Sequence, residues 1–230
     1  MSQHRLRFNL VNGVISAVFA GLFLCLSAGF VYISIDGPTE YYSASAVLVL
    51  LAFIPGLVAV VLVSRVLSLS SESAELKSIF GNVAIHSTEL AAMTFAPRFG
   101  QTAGFTDWNL RLKSANGSRL RCTISRDQVS AEFQATLTSF ARPLASKLAK
   151  DLSEDGELAL SKHQTLYRDG ISVRKKRFYF NELKELRLSN LGISLIGHDG
   201  TVLASTSRNA ENLLPAYLLA QDLLNEERLR

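Results

Sequence analysis

Two uncharged apolar runs, Leu10 to Ile35 and Ala44 to Ser64, stand almost back to back at the start of this chain. They constrain it more than any other feature. A helix rises about 1.5 Å per residue and a bilayer core is about 30 Å thick, so about 20 apolar residues cross it. Both runs exceed that length, and neither holds Asp, Glu, Lys, Arg or His. The expectation is a hairpin of two transmembrane helices over 10–35 and 44–64. Residues 1–9 would form a short N-terminal segment and 36–43 a loop on the far side. A cleaved signal peptide has an apolar core of only about 7–15 residues, so the first run reads as an uncleaved span.

Charge sets the expected orientation. Arg5 and Arg7 precede the first run and Arg65 follows the second, whereas the connecting loop carries no Lys or Arg. Cationic flanks stay on the cytoplasmic side, so both termini are expected there. No ionisable group lies within either run, which argues against an ion or proton path. Gly13, Ala17, Gly21 and Cys25 recur every four residues, and the second run offers Ala52, Gly56 and Ala59. Small stripes let helices approach closely. Two readings stand side by side: the stripes pack the two helices together, or Gly13, Ala17, Gly21, Ala52 and Gly56 dock another membrane subunit. Pro55 should bend the second helix.

From Arg65 the chain changes character. This part holds 22 of the 24 Lys and Arg and 18 of the 20 Asp and Glu. Its modest excess of positive charge does not suggest a nucleic-acid partner. Four features recur in order, predicting two strand-rich halves, 65–152 and 153–230. A Glu-Leu step leads into a strand at Glu89-Leu90 and again at Glu182-Leu183. Alternating strands follow, Trp108 to Leu112 and Ile193 to Leu195, with the period of two that marks a half-buried strand. Asn116-Gly117 and Asp199-Gly200 then read as type I′ hairpin turns. Each half closes on an amphipathic helix, through Phe133, Leu137, Phe140 and Leu144 in the first and Leu213, Tyr217, Ala220 and Leu224 in the second. Ser125 and Gln128 form a capping-box pair, and Ser153 to Gly156 reads as the linker between halves.

Strands closed by one C-terminal helix, with Tyr167-Arg168-Asp169-Gly170-Ile171 and Arg177-Phe178-Tyr179-Phe180-Asn181-Glu182-Leu183, resemble bacterial pleckstrin-homology-like membrane proteins that carry an N-terminal transmembrane hairpin. The resemblance covers residues 157–228 best. It implies a membrane helical hairpin plus a cytoplasmic α+β domain of two such halves, in the bacterial inner membrane, with a binding or scaffold role. The two halves could be separate or share one sheet.

Two segments stand out as contact candidates. Arg174-Lys175-Lys176-Arg177 is the densest charge in the chain, read either as a site for anionic lipid or an acidic partner, or as a solvated turn. A ten-residue insertion in the first half places Phe99, Phe105 and Trp108 either on a partner-binding loop or, for Trp108, in the core. Nothing points to a reaction. His4, His86, His163 and His198 are scattered, Cys25 and Cys122 lie in different elements, and no phosphate-cradling or nucleophile motif is present. The expected role is a non-enzymatic accessory or scaffold subunit of a larger membrane complex, with no cofactor and no metal. A lipid-binding module is the alternative.

Overall fold

The structure, a computed structural model, describes residues 4–7, 10–34, 40–63, 65–79, 81–99, 105–161, 163–189, 192–205 and 211–229. In chain order the elements are β1 (His4–Arg7), α1 (Leu10–Ser34), α2 (Glu40–Val63), β2 (Val66–Leu69), β3 (Ser73–Ser78), β4 (Gly81–His86), β5 (Leu90–Phe99), β6 (Phe105–Ser114), β7 (Arg119–Ser125) and α3 (Ala131–Asp155). Then come β8 (Glu157–Ser161), β9 (Gln164–Tyr167), β10 (Gly170–Val173), β11 (Lys176–Tyr179), β12 (Leu183–Ser189), β13 (Gly192–Gly197), β14 (Val202–Ser205) and α4 (Leu213–Arg228).

The expected two-pass arrangement is overturned. Among the described residues, no helix is long and apolar enough to cross a membrane. This corrects the transmembrane hairpin, the far-side loop 36–43, and the inner-membrane placement with cytoplasmic termini. Part of that loop is helix instead, because α2 begins at Glu40. Residues 36–39 lie outside the described residues.

The chain divides into two compact units. One comprises 5–67 and 76–82, the other 1–4, 68–75 and 83–230. In the first, α1 and α2 run antiparallel, since Ser27 meets Ser45 while Ala20 meets Gly56. Pro55 lies inside a helix that continues on both sides of it. Ser27 and Ser45 are buried, each hydroxyl within 3.2 Å of the other's carbonyl and the two hydroxyls 2.8 Å apart. A buried hydroxyl needs such a partner, and reciprocal bonding satisfies both.

The same order of elements occurs twice. A four-stranded sheet, β1-β2-β3-β4, precedes the three-stranded β5-β6-β7 and then α3. The second set is β8-β9-β10-β11 in one sheet, β12-β13-β14 in another, and then α4. Each set therefore has seven strands and one closing helix. In chain order, α1 and α2 stand between the first and second strands of the first sheet, so residues 4–7 supply a strand to it. A short 3-10 turn joins the two sheets each time, Ser87–Glu89 and Phe180–Glu182. Among the described residues the sheets are four and separate. The two sets meet instead through their helices: α3 packs on α4 and on β8, and α4 packs on β5 and β12.

The core between these layers is apolar, with Leu110, Leu120, Ile124, Phe133 and Phe140 wholly buried. On α3, Phe133, Leu137, Phe140, Leu144, Leu148 and Leu152 form one buried stripe. The capping box at Ser125 and Gln128 begins a 3-10 turn, and α3 itself starts later, where Ser130 Oγ accepts from Phe133 N–H at 3.1 Å. The expected linker is the last turn of α3 and its cap: Gly156, at φ 78°, donates its N–H to Leu152 O. Pro215 falls in the first turn of α4, where its missing N–H has no intrahelical acceptor to lose.

Candidate binding surfaces

The hairpins show the turn chemistry that aims the exposed side chains. Type I′ turns were expected at Asn116-Gly117 and Asp199-Gly200, but only the glycines have positive φ, 90° and 82°. In each, the residue before the loop pairs with the fourth residue on: Ser114 N–H to Ser118 O, and Gly197 N–H to Thr201 O, both 2.9 Å. These are three-residue loops ending in a left-handed glycine, the type I plus bulge arrangement. Asn116 Oδ1 accepts from Ser118 N–H, and Asp199 Oδ1 accepts from the N–H and hydroxyl of Thr201. Those two donors hold the Asp199 carboxyl below its ordinary range.

A two-residue turn lies at Arg174-Lys175. Val173 pairs with Lys176, and both turn residues take left-handed backbone, φ 50° and 73°. That turn type matches strand twist, but it favours Asn-Gly, and neither residue here is Gly or Asn. Arg174, Lys175 and Lys176 are exposed at this tip. Arg177 is occupied elsewhere. Its guanidinium stacks on Tyr167 at 4.1 Å and faces Tyr179 at 5.4 Å, and it hydrogen-bonds Asp169. That carboxylate raises the Arg177 pKa. Of the four expected contact residues, three are presented and one is built into the sheet face.

The aromatic insertion divides similarly. Trp108 is buried and stacks on Phe95, centroids 4.4 Å apart and planes 7° apart. It belongs to the core and is not available to a partner. Phe99 and Phe105 pair in register at the loop end of the β5–β6 hairpin, and their side chains lie outside the described residues.

The helix pair separates the two small-residue stripes. Ala52 and Ala59 are buried with Ala20 in the seam, where a Cβ on Gly56 would lie 3.6 Å from Ala20. The α1 stripe looks the other way. Ala17 and Cys25 are exposed, and a Cβ on Gly21 would meet nothing within 4 Å. Gly13 is part of α1, with its surroundings outside the described residues. Around the pair, large apolar side chains stand exposed, including Phe19, Leu22, Leu50, Phe53 and Ile54 at 54–69%. An apolar groove of about 390 Å³ is lined by Leu24, Val49, Ala52, Phe53, Gly56, Leu57 and Val60.

No family model matches the chain, and no curated protein does either.

Among the described residues, no group of three His, Cys, Asp or Glu could hold a metal ion. His198 Nε2 lies 3.0 Å from Asn181 O in a turn. Burial pushes the Cys122 thiol up to about 12, leaving it a neutral, poorly nucleophilic group.

One surface escaped the sequence reading. The face of β5-β6-β7 opposite the core carries Arg111, Lys113, Arg119 and Arg121 around a cavity of about 400 Å³. The alternation that marks β6 as a half-buried strand also gives it an outward side. Arg111-x-Lys113 and Arg119-x-Arg121, flanking one hairpin turn, were the readable signal for its other side.

Proposed function

We propose that this chain is a non-enzymatic scaffold subunit whose α1–α2 pair docks against apolar helices of a partner protein. The observation that carries this is the exposed apolar surface of the pair. Monomers rarely expose contiguous apolar patches beyond a few hundred Å², and larger ones mark interaction sites. The outward Ala17, Gly21 and Cys25 stripe gives a second helix room for close approach. Seven strands and a closing helix in each set support the pleckstrin-homology-like reading, a class of binding domain with no reaction of its own.

Native purification in mild detergent should yield a particle well above 25.2 kDa that contains other chains. Gly21→Leu should reduce the co-purified chains at least tenfold. It should leave the fold intact, because that side chain enters open space. A lone monomer, or full retention of partners in G21L, overturns the proposal.

A second reading rests on the strained tip at Arg174 and Lys175. Non-glycine residues in left-handed backbone cost about 1 kcal/mol or more each, and such strain concentrates at functional sites. The basic tip would contact an acidic partner or anionic lipid. Arg174→Asn with Lys175→Gly should relieve the turn and raise Tm by roughly 4–8 °C, while weakening retention on anionic vesicles. Stabilisation with unchanged retention removes this reading.

A further inference from the structure

We propose that the outer face of β5-β6-β7 is a binding site for a multiply charged phosphoryl group, carried by a small phosphorylated compound. Strand register builds the site. Arg111 lies directly opposite Arg121, and Lys113 directly opposite Arg119. Directly opposed residues in antiparallel strands have Cα atoms about 4.5–5.5 Å apart and project to the same side. Four cationic side chains therefore rise from one patch two residues long on each strand. Thr94 sits opposite Arg111 and Ala92 opposite Lys113 on β5, so a hydroxyl and a methyl complete the floor. Ala92, Met93, Thr94 and Leu112 line the cavity with the four cations, and Glu211 is its single carboxylate. The lining carries a net charge of three positive.

Like charges placed directly across a sheet destabilise it, so a fold does not acquire two such pairs for its own stability. Neighbouring acids do not neutralise these. Among the described residues, no ion pair within 4 Å reaches Arg111, Lys113, Arg119 or Arg121, whereas Arg142, Arg177 and Arg187 all have carboxylate partners. The molecule also contains its own comparison. In the second set of strands the corresponding cross-strand pairs are Ser194 with Ser205 and Ile196 with Val202. The same three-stranded meander, the same three-residue loop and the same closing helix form there without a single cation at these positions. The charges belong to what the first sheet binds.

The chemistry selects the ligand. Guanidinium presents a planar fork that takes two phosphoryl oxygens at once, and two opposed arginines with an adjacent lysine supply donors on several sides of a tetrahedral anion. A cavity of this volume suits a small molecule. The Ala92 methyl gives the organic part of a phosphate ester something to lie against, and the Thr94 hydroxyl can donate to a further oxygen.

The test uses the full chain and inorganic pyrophosphate followed by calorimetry, with Arg111→Ser and Arg121→Ser together as the variant. Serine is the residue found at both positions of the equivalent pair, so the sheet tolerates it, and an unchanged or raised Tm verifies folding. Wild type should bind pyrophosphate, with affinity falling as salt rises. The double variant should bind about 100-fold more weakly, about tenfold for each charged hydrogen-bonding partner lost. Vesicles containing phosphatidic acid form the second arm. Retention lost in the same variant, with no pyrophosphate binding, assigns the phosphoryl group to a lipid headgroup. Binding of neither probe, or binding unaffected by the double substitution, overturns the site.

Discussion

Gly170→Ala should lower the melting temperature by roughly 6–12 °C, from a loss of about 3 kcal/mol at 2–4 °C per kcal/mol for a chain of this size. The position looks harmless, a glycine at the start of β10 with ordinary backbone φ, so alanine meets no conformational penalty there. The penalty is steric. A Cβ on Gly170 would fall 2.2 Å from the carbonyl oxygen of Phe178 and 3.0 Å from its carbonyl carbon and from Tyr179 Cα. All three are backbone atoms of the paired strand, so no side chain can rotate away. Relief requires β11 to move off β10. That movement carries Tyr179 with it, and Tyr179 is one of the two rings flanking the Arg177 guanidinium. Differential scanning calorimetry reads the stability loss. Arg177→Met supplies the comparison, since it removes the cation while leaving the strands in place and should cost less than G170A. A G170A protein that melts with wild type would mean that the close approach of β10 to β11 is not native.

The contrast between Gly170 and Gly117 shows what a sequence can and cannot disclose. Gly117 follows Asn in a polar stretch between two alternating runs, so its turn was readable from neighbours alone. The exact loop was not, because two- and three-residue hairpins differ only in whether Asn116 also has positive φ, and pairing across the loop decides that. Gly170 also ends a turn, but its necessity comes from the Phe178 carbonyl, eight residues away, whose approach no local pattern reports. The same distinction runs through the rest of the fold. The buried stripe of α3 was legible in its three- and four-residue spacing. The joining of β1 to the first four-stranded sheet was not, since β1 and β2 are separated in the chain by two whole helices.

Trp108 was readable as a strand residue, yet its inward aim depends on Phe95 stacking from the next strand. The two small-residue stripes of α1 and α2 looked alike in sequence. Only the antiparallel pairing of Ser27 with Ser45 decides that Ala52 and Gly56 face the seam while Gly21 faces out. The apolar runs themselves are legible by length and charge, yet among the described residues no helix is long and apolar enough to cross a membrane. At the sites, charge density drew attention to Arg174 to Arg177. The four cations on β6 and β7 are spread over eleven residues and converge only through register.

Asn212→Ala should cost about 2–4 kcal/mol, lowering Tm by roughly 4–16 °C, because one side chain solves two problems at a sheet edge. β5 is an edge strand of its three-stranded sheet, and an edge leaves backbone donors and acceptors without a ladder partner. Asn212 occupies that edge at Met93. Its Oδ1 accepts from Met93 N–H at 2.8 Å, and its own N–H donates to Met93 O at 2.6 Å. Met93 is 1% exposed, so water does not readily replace those bonds. Leaving a buried N–H unpaired costs about 1–3 kcal/mol. Asn212 also sits in left-handed backbone, φ 61°, which Asn tolerates and Ala does not, adding about 1 kcal/mol. Three variants separate these contributions. Asn212→Asp keeps an acceptor and the left-handed tolerance and should melt near wild type. Asn212→Gly keeps the backbone but loses the acceptor, so only the hydrogen-bond cost remains. Asn212→Ala loses both and should melt lowest. Hydrogen exchange at the Met93 amide gives the local readout, protected in N212D and fast in N212G and N212A. The order matters beyond stability, because Asn212 fixes the start of α4 against the first set of strands, and Glu211 beside it lines the basic cavity. If N212G melts as low as N212A, the backbone contributes nothing, and the αL geometry is a consequence of the hydrogen bonds, not a second demand on the residue.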